Sequence, residues 1–340
     1  MSTMHAIVVD PDVQGRLALH EVESPSPAPA EALIRVSALS LNLGEVRTAL
    51  LRAEAGWRPG WELAGVVEQA AVDGSGPSVG ARVFGMVGFG AWAERVAVPT
   101  AQLAEIPDGV TFAQAATLPV AGLTALYGLE RGAMLLKRKV LITGGPENVG
   151  HIYGTEREAM LLKRKVLVTG ASGGVGHFAC QLARQAGAQV IALVRRAERA
   201  ASVQAMGVHE VVIGEDVALT CSFGPYHLVI DTVGGNSLRT AITLLETDGI
   251  CVNLGAAENP DMTLQNRYGA FDSPENEHGL VIRDIKPRRV AKDLGRLAQM
   301  MATDQLHPHI GLEAPWTDVV EVTQSLLDRR IAGKAILYVS

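Results

Sequence analysis

Short apolar runs broken by turn-forming residues fill the first hundred positions. Ala6–Val9, Ala32–Val36, Leu63–Val67 and Ala91–Val98 are rich in aliphatic residues, many of them branched, and predict strands. Pro25, Pro27 and Pro29, then Pro59-Gly60, then Asp73-Gly74-Ser75-Gly76-Pro77 punctuate them, which suits a compact barrel-like unit. At Thr111 the period changes. Thr111-Phe112-Ala113-Gln114 has the form of a capping box and predicts a helix running to Pro119. From about residue 120 short strands alternate with helical stretches. Val166–Val168 precedes Gly174–Gln185, Val190–Leu193 precedes Glu198–Met206, and Leu228–Ile230 and Ile250–Val252 follow. That alternation predicts an α/β fold with a doubly wound parallel sheet and helices on both faces. Helical stretches near Val290–Met301 and Asp318–Leu327 lead to a last strand, Ala335–Val339, and these terminal segments are expected to return to the first unit.

The length of 340 residues suits two domains, and 36 glycines suit many tight strand–helix turns. A net charge of -6 carries no clustered cationic surplus, which argues against a nucleic-acid partner. Lys137-Arg138-Lys139 and Lys163-Arg164-Lys165 read as solvated ends of elements. No apolar run reaches the roughly 20 residues that span a bilayer, and the start shows no signal-peptide pattern. Cys180, Cys221 and Cys251 are far apart in sequence and read as reduced core residues. A cytoplasmic protein with a small-molecule partner is expected.

The stretch Lys165-Val166-Leu167-Val168-Thr169-Gly170-Ala171-Ser172-Gly173-Gly174-Val175-Gly176 joins a branched run to an amphipathic helix through small residues. Bare backbone there lets a pyrophosphate approach the amides of a helix start. Gly170, Ser172, Gly173, Gly174 and Val175 are the expected contacts. A P-loop is excluded, because His177 stands where Lys-Ser/Thr is needed. At the end of the next strand, where an NAD site usually carries Asp or Glu, the chain reads Val194-Arg195-Arg196. Two guanidinium groups favour a 2′-phosphate, so Arg195 and Arg196 predict NADPH. Against this, the nearby Glu198 keeps open a reading of both arginines as a solvated helix start.

Several segments together resemble the quinone oxidoreductase branch of the medium-chain dehydrogenase/reductase superfamily. They are Gly60-Trp61-Glu62-Leu63-Ala64-Gly65-Val66-Val67, Gly90-Ala91-Trp92-Ala93-Glu94, Leu118-Pro119-Val120-Ala121-Gly122-Leu123-Thr124-Ala125, Asp231-Thr232-Val233-Gly234-Gly235 and Gly333-Lys334-Ala335-Ile336-Leu337. The resemblance implies a GroES-like β-barrel catalytic domain over 1–118 and 305–340 and a Rossmann NADPH-binding domain over 119–304. It implies Asn42 and Thr124 as active-site residues, Asn42 donating its amide to a developing enolate or quinol oxygen, and Asn253 and Gly255 as further cofactor contacts. It also implies a homodimer through the edge strands of the nucleotide domain. Trp61 occupies the place of a metal-binding histidine, so no metal is expected. Hydride transfer from NADPH to a quinone or an enone follows from that departure. Ala53 stands where many relatives carry a Tyr, which leaves no dedicated general acid and tilts the reading slightly away from acyl thioesters.

Residues 133–151 and 159–177 are near-copies offset by 26 positions. Ala133–Leu141 recurs as Ala159–Leu167, and both copies continue through Thr-Gly to Val-Gly-His. The second is expected to be the working copy, because Pro146 and Glu147 in the first remove an amide donor and add a carboxylate. Residues 135–160 are then an excursion, with a short helix starting near Thr155. A short-chain dehydrogenase fits the glycine turn too but needs Tyr-x-x-x-Lys, and Tyr153 is followed by Arg157. A non-catalytic NADPH-binding or redox-sensing protein stays open as the other class, as does an enoyl-thioester reductase.

Overall fold

The computed structural model describes residues 2–141, 161–255, 280–282 and 289–339. The chain divides into two units, Met1–Leu123 with Pro287–Ser340, and Thr124–Lys286. In chain order the first unit opens with β1 (Thr3–Val9), β2 (Leu17–Glu23), β3 (Glu31–Leu41), α1 (Leu43–Leu51), β4 (Glu62–Gln69), β5 (Arg82–Met86), β6 (Arg95–Pro99), β7 (Leu103–Glu105) and α2 (Phe112–Ala116). A π-helical turn, Leu118–Gly122, leads to α3 (Leu123–Leu141). The second unit continues through β8 (Lys165–Thr169), α4 (Gly174–Gln185), β9 (Gln189–Val194), α5 (Ala200–Gln204), β10 (Glu210–Ile213), β11 (Tyr226–Asp231), α6 (Gly235–Thr243), β12 (Leu245–Asn253) and β13 (Leu280–Ile282). The chain then returns to the first unit with α7 (Val290–Ala302), β14 (Ile310–Pro315), α8 (Val319–Leu327) and β15 (Lys334–Tyr338).

Sheet order in the first unit is β14-β15-β3-β4-β5-β7, with β6 also on β3. The long strand β3 is the spine. It runs antiparallel to β15 through Ala335↔Leu41 and to β4 through Leu39↔Leu63, so the ends of three strands meet near residue 42. Inward residues of these strands, among them Ile34, Leu39 and Leu63, are buried in one core with Trp92 and Trp316 from the connections. α7 belongs here rather than to the nucleotide unit, because its apolar face packs on β7 and the π-helical turn, with Leu297 beside Gly122. The expected strand over Ala91–Val98 is shorter, since Ala93 only bridges Ala6 and regular pairing begins at Arg95.

α1 is set at both ends. Glu45 reaches back to the amide of Asn42 at 2.7 Å, the reciprocal bond of a capping box. At the other end Arg16, in the β1–β2 connection with φ +60°, donates to the carbonyls of Leu50 at 3.3 Å and Ala53 at 2.8 Å. A cation at a helix C-terminus meets the negative end of its dipole.

The second unit is a parallel sheet in the order β10-β9-β8-β11-β12-β13. Counted from β8 this is 3-2-1-4-5-6, the doubly wound dinucleotide-binding order, whose switch point lies between β8 and β11. Cys180 and Cys251 are buried, and burial pushes the Cys180 thiol far above its usual range. Cys221 departs from the expected core placement: it lies in the 3-10 turn Val217–Phe223 and is exposed.

The duplicated segment takes two conformations. Leu135–Leu141 lies within α3, whereas the identical Leu161–Leu167 forms a turn and then the first three residues of β8. The second copy therefore supplies the strand. Pro146, Glu147 and the expected helix near Thr155 lie outside the described residues. Removing residues 134–159, which joins Ala133 to Met160 and leaves one copy, should preserve the fold and keep or raise NADPH affinity. Circular dichroism and calorimetry check this, and an unfolded product would show that both copies are needed.

Candidate active site

The nucleotide turn begins where β8 ends. Thr169 is fully buried and donates from its hydroxyl to Asp231 Oδ1 at 2.7 Å. Asp231 also accepts from the amides of Val233 at 3.4 Å and Gly234 at 2.9 Å, and from Asn253 Nδ2 at 2.6 Å. Burial pushes this carboxyl above the usual carboxylate range, while the surrounding donors pull it back. The knot ties the ends of β8, β11 and β12 at the edge where the turn starts. The Asn253 amide nitrogen bonds Asp231 and the Gly255 carbonyl, at 2.9 Å for the latter, so its donors face inward.

Two glycines of the turn leave no room for a side chain. Gly170 has φ +61°, a region that favours glycine. A Cβ on Gly176 would lie 2.3 Å from the Gly170 oxygen and 2.8 Å from Ala171 Cα. Gly173 is the N-cap of α4 and offers no side chain to the first-turn amides, which leaves them to an anion. Ser172 is buried in the turn, and Gly174 and Val175 are half-buried at the helix start. The arrangement fits a dinucleotide pyrophosphate.

Arg195 and Arg196 follow β9 directly. Their ion pairs are long and exposed, 3.7 Å to Glu215 and 3.8 Å to Glu198, and such pairs contribute little. Arg199 sits close enough for its guanidinium to be lowered by burial and by both neighbours. Thr124 is half-buried in the first turn of α3. Asn266-Arg267-Tyr268 and Phe271–His278, sequence candidates for a cleft lining, lie outside the described residues.

The first unit holds a second polar cluster, which sequence reasoning missed. At the meeting point of β3, β4 and β15 the ammonium of Lys334 donates to the Leu41 carbonyl at 2.9 Å, to Asn42 Oδ1 at 2.7 Å and to Glu62 Oε1 at 2.8 Å. Its three hydrogens are thereby used. Asn42 Nδ2 donates to Glu45 Oε1 at 3.0 Å and to Glu62 Oε1 at 2.8 Å, so both amide hydrogens rest on carboxyl groups. Glu62 Oε2 accepts from the amide of Val120 in the π-helical turn at 2.7 Å. Glu45 and Glu62 are completely shielded from solvent, and Lys334 nearly so. Burial first, and then the charge of Glu62, pushes the Glu45 carboxyl up to about 8. The indole of Trp61 covers the start of α1, where a Cβ on Gly44 would meet it at 2.8 Å.

Comparison with known proteins matches both units. Residues 28–108 match the alcohol dehydrogenase GroES-like domain, and residues 174–273 match the zinc-binding dehydrogenase family. The quinone oxidoreductase structure from Coxiella burnetii superimposes with a TM-score of 0.80 at 25% identity, covering 100% of both chains. The chain belongs to the medium-chain dehydrogenase/reductase superfamily.

A mycobacterial structure complexed with NADPH is similar as well, with a TM-score of 0.76 and 25% identity over 98% of this chain and 99% of that one. Among curated proteins, a spectinabilin polyketide synthase system protein of Streptomyces orinoci is 29% identical over 83% of this chain. The chain spans only 12% of that synthase's length.

The described residues do not fit the zinc named by one of the family models. Among the described residues no three His, Cys, Asp or Glu side chains are grouped to hold a metal. Trp61 stands in the resemblance's histidine position, and the Lys334 ammonium already balances Glu62. Also among the described residues, no helix is long and apolar enough to cross a membrane.

Proposed function

We propose that this superfamily member is an NADPH-dependent reductase that delivers hydride to a quinone or an activated alkene without zinc. The observation that carries the reading is the glycine-rich turn Gly170–Gly176 at the head of α4, followed at the end of β9 by Arg195 and Arg196. The nicotinamide, when bound, supplies the hydride. Gly170, Ser172, Gly173, Gly174 and Val175 hold the pyrophosphate, Arg195 and Arg196 hold the 2′-phosphate, and Thr124 and Gly255 complete the cofactor contacts. Asn253 acts through Asp231, keeping Thr169 and the turn in place. The neighbour complexed with NADPH supports the cofactor assignment.

Asn42 takes a different role from the one the resemblance implies. With both amide hydrogens on Glu45 and Glu62, its side chain has no donor left for a substrate oxygen. It orients the end of β3 and the first turn of α1 instead.

Replacing Arg195 and Arg196 together with alanine should weaken NADPH binding by about 10–100-fold, the scale of one or two charge-assisted bonds. NADH affinity should stay the same. Paired calorimetric titrations check this, and an equal loss for both coenzymes would remove the 2′-phosphate assignment. Turnover is tested by following NADPH oxidation against a panel of quinones, small enones and an enoyl thioester. The polyketide synthase match favours the thioester as a second reading. Tight NADPH binding without turnover of any acceptor would overturn the reductase.

A further inference from the structure

The two acids of the Asn42 cluster are equally deep but not equally satisfied. Glu62 accepts from Asn42, Lys334 and Val120, so both of its oxygens are engaged. Glu45 accepts twice on Oε1, from the amide and the side chain of Asn42, while its Oε2 is buried with no partner. The charged groups facing Glu45 are Glu62 from β4 and Lys334 from β15. If both acids were ionised, the cluster would hold two negative charges against one positive, with a bare carboxylate oxygen away from water. An uncompensated buried charge is costly enough that the group neutralises instead.

We propose that Glu45 carries a proton at neutral pH and is the neutral positioning residue that fixes the Asn42 amide, leaving Lys334 to balance Glu62 alone. The orientation of Asn42 follows from this charge pattern. Its oxygen faces the ammonium and its nitrogen faces the two carboxyl groups; the reversed amide would set donor against donor and acceptor against acceptor. Asp231 in the other unit provides the contrast. It is as deeply buried, but four donors surround it, which is what an ionised carboxylate needs. The upward push on Glu45, to about 8, agrees with the geometric argument.

The proton also predicts how stability responds to pH. Folded Glu45 holds its proton up to about 8, whereas the unfolded group releases it near 4.5. The folded state binds more protons between these values, so Glu45's contribution is complete below the lower one and is lost as pH rises toward the higher one.

Infrared spectroscopy of the full-length protein without cofactor tests the proposal directly, independently of the assigned function. A carboxylic-acid carbonyl band should be present at neutral pH, fade above pH of about 8 and be missing from Glu45→Gln. Asp231→Asn should leave that band in place. Glu45→Gln, the neutral isostere, should keep turnover within twofold and flatten the fall in thermal midpoint between pH 5 and 8. Glu45→Leu, which cannot hold the Asn42 amide, should lower the thermal midpoint at pH 5 by several degrees more than Glu45→Gln does. No acid band in the wild type, a band surviving in Glu45→Gln, or a Glu45→Gln protein as damaged as Glu45→Leu would each overturn the proposal. Should the variants fold poorly, the pH titration of the wild-type band alone decides.

Discussion

Lys334→Met should destabilise the protein by about 3–5 kcal/mol, because it removes the counter-charge of a completely buried carboxyl group, Glu62. Lys334 is nearly inaccessible and Glu62 completely so, and their contact is 2.8 Å. The neighbouring Glu45 offers no relief, since it is itself a buried acid. For a unit of this size the change corresponds to a fall in thermal midpoint on the order of 10 °C. Scanning calorimetry measures it. The double variant Lys334→Met with Glu62→Gln should recover most of the loss, because the uncompensated charge is gone. A single variant as stable as the wild type would show that the pair is solvated in solution, against its burial in the structure.

Gly176→Val is expected to abolish measurable NADPH binding, a loss of at least about 100-fold or roughly 2.8 kcal/mol. The first added carbon would already lie 2.3 Å from the Gly170 oxygen, so the start of α4 must move away from the end of β8. That movement dismantles the turn whose amides meet the pyrophosphate, and overpacking of this kind itself costs about 1–3 kcal/mol. Calorimetric titration with circular dichroism as the folding control separates the two effects. Unaltered affinity in a folded variant would mean that the pyrophosphate does not lie on this turn. Gly173→Ala is the milder comparison, since its Cβ would meet only the Gly170 oxygen at 3.3 Å.

The contrast between these two sites shows which parts of the protein were readable from its residues. The nucleotide turn is local. Strand, glycines, helix and the two arginines fall within about thirty consecutive positions, and each residue type states its own steric or electrostatic reason. The Asn42 cluster is not local. Glu62 and Lys334 are 20 and 292 positions from Asn42, and only the antiparallel flanking of β3 by β4 and β15 brings them together. A signal was present, though: each is a charged residue at the entrance of an apolar strand, and Asn42 with Glu45 has capping-box spacing. The repeated heptapeptide marks the limit of local reading. Leu135–Leu141 and Leu161–Leu167 are the same seven residues, yet one is helix and the other enters the sheet between β9 and β11. Pairing partners decide that difference, and propensity cannot. α1 escaped notice because its nine residues mix Gly44, Glu45 and Arg47 among the aliphatics, leaving a weak helical stripe.

Arg16 gives the first unit a mechanical linkage. It grips the carbonyl end of α1, and the opposite end of the same short rod carries Asn42 and the buried acid. A change confined to the surface connection between the first two strands therefore has a lever arm into the polar cluster. Evolution or an engineer wishing to retune that cluster can do so from the outside, by altering the length or hand of one loop and leaving every residue within the cluster as it is.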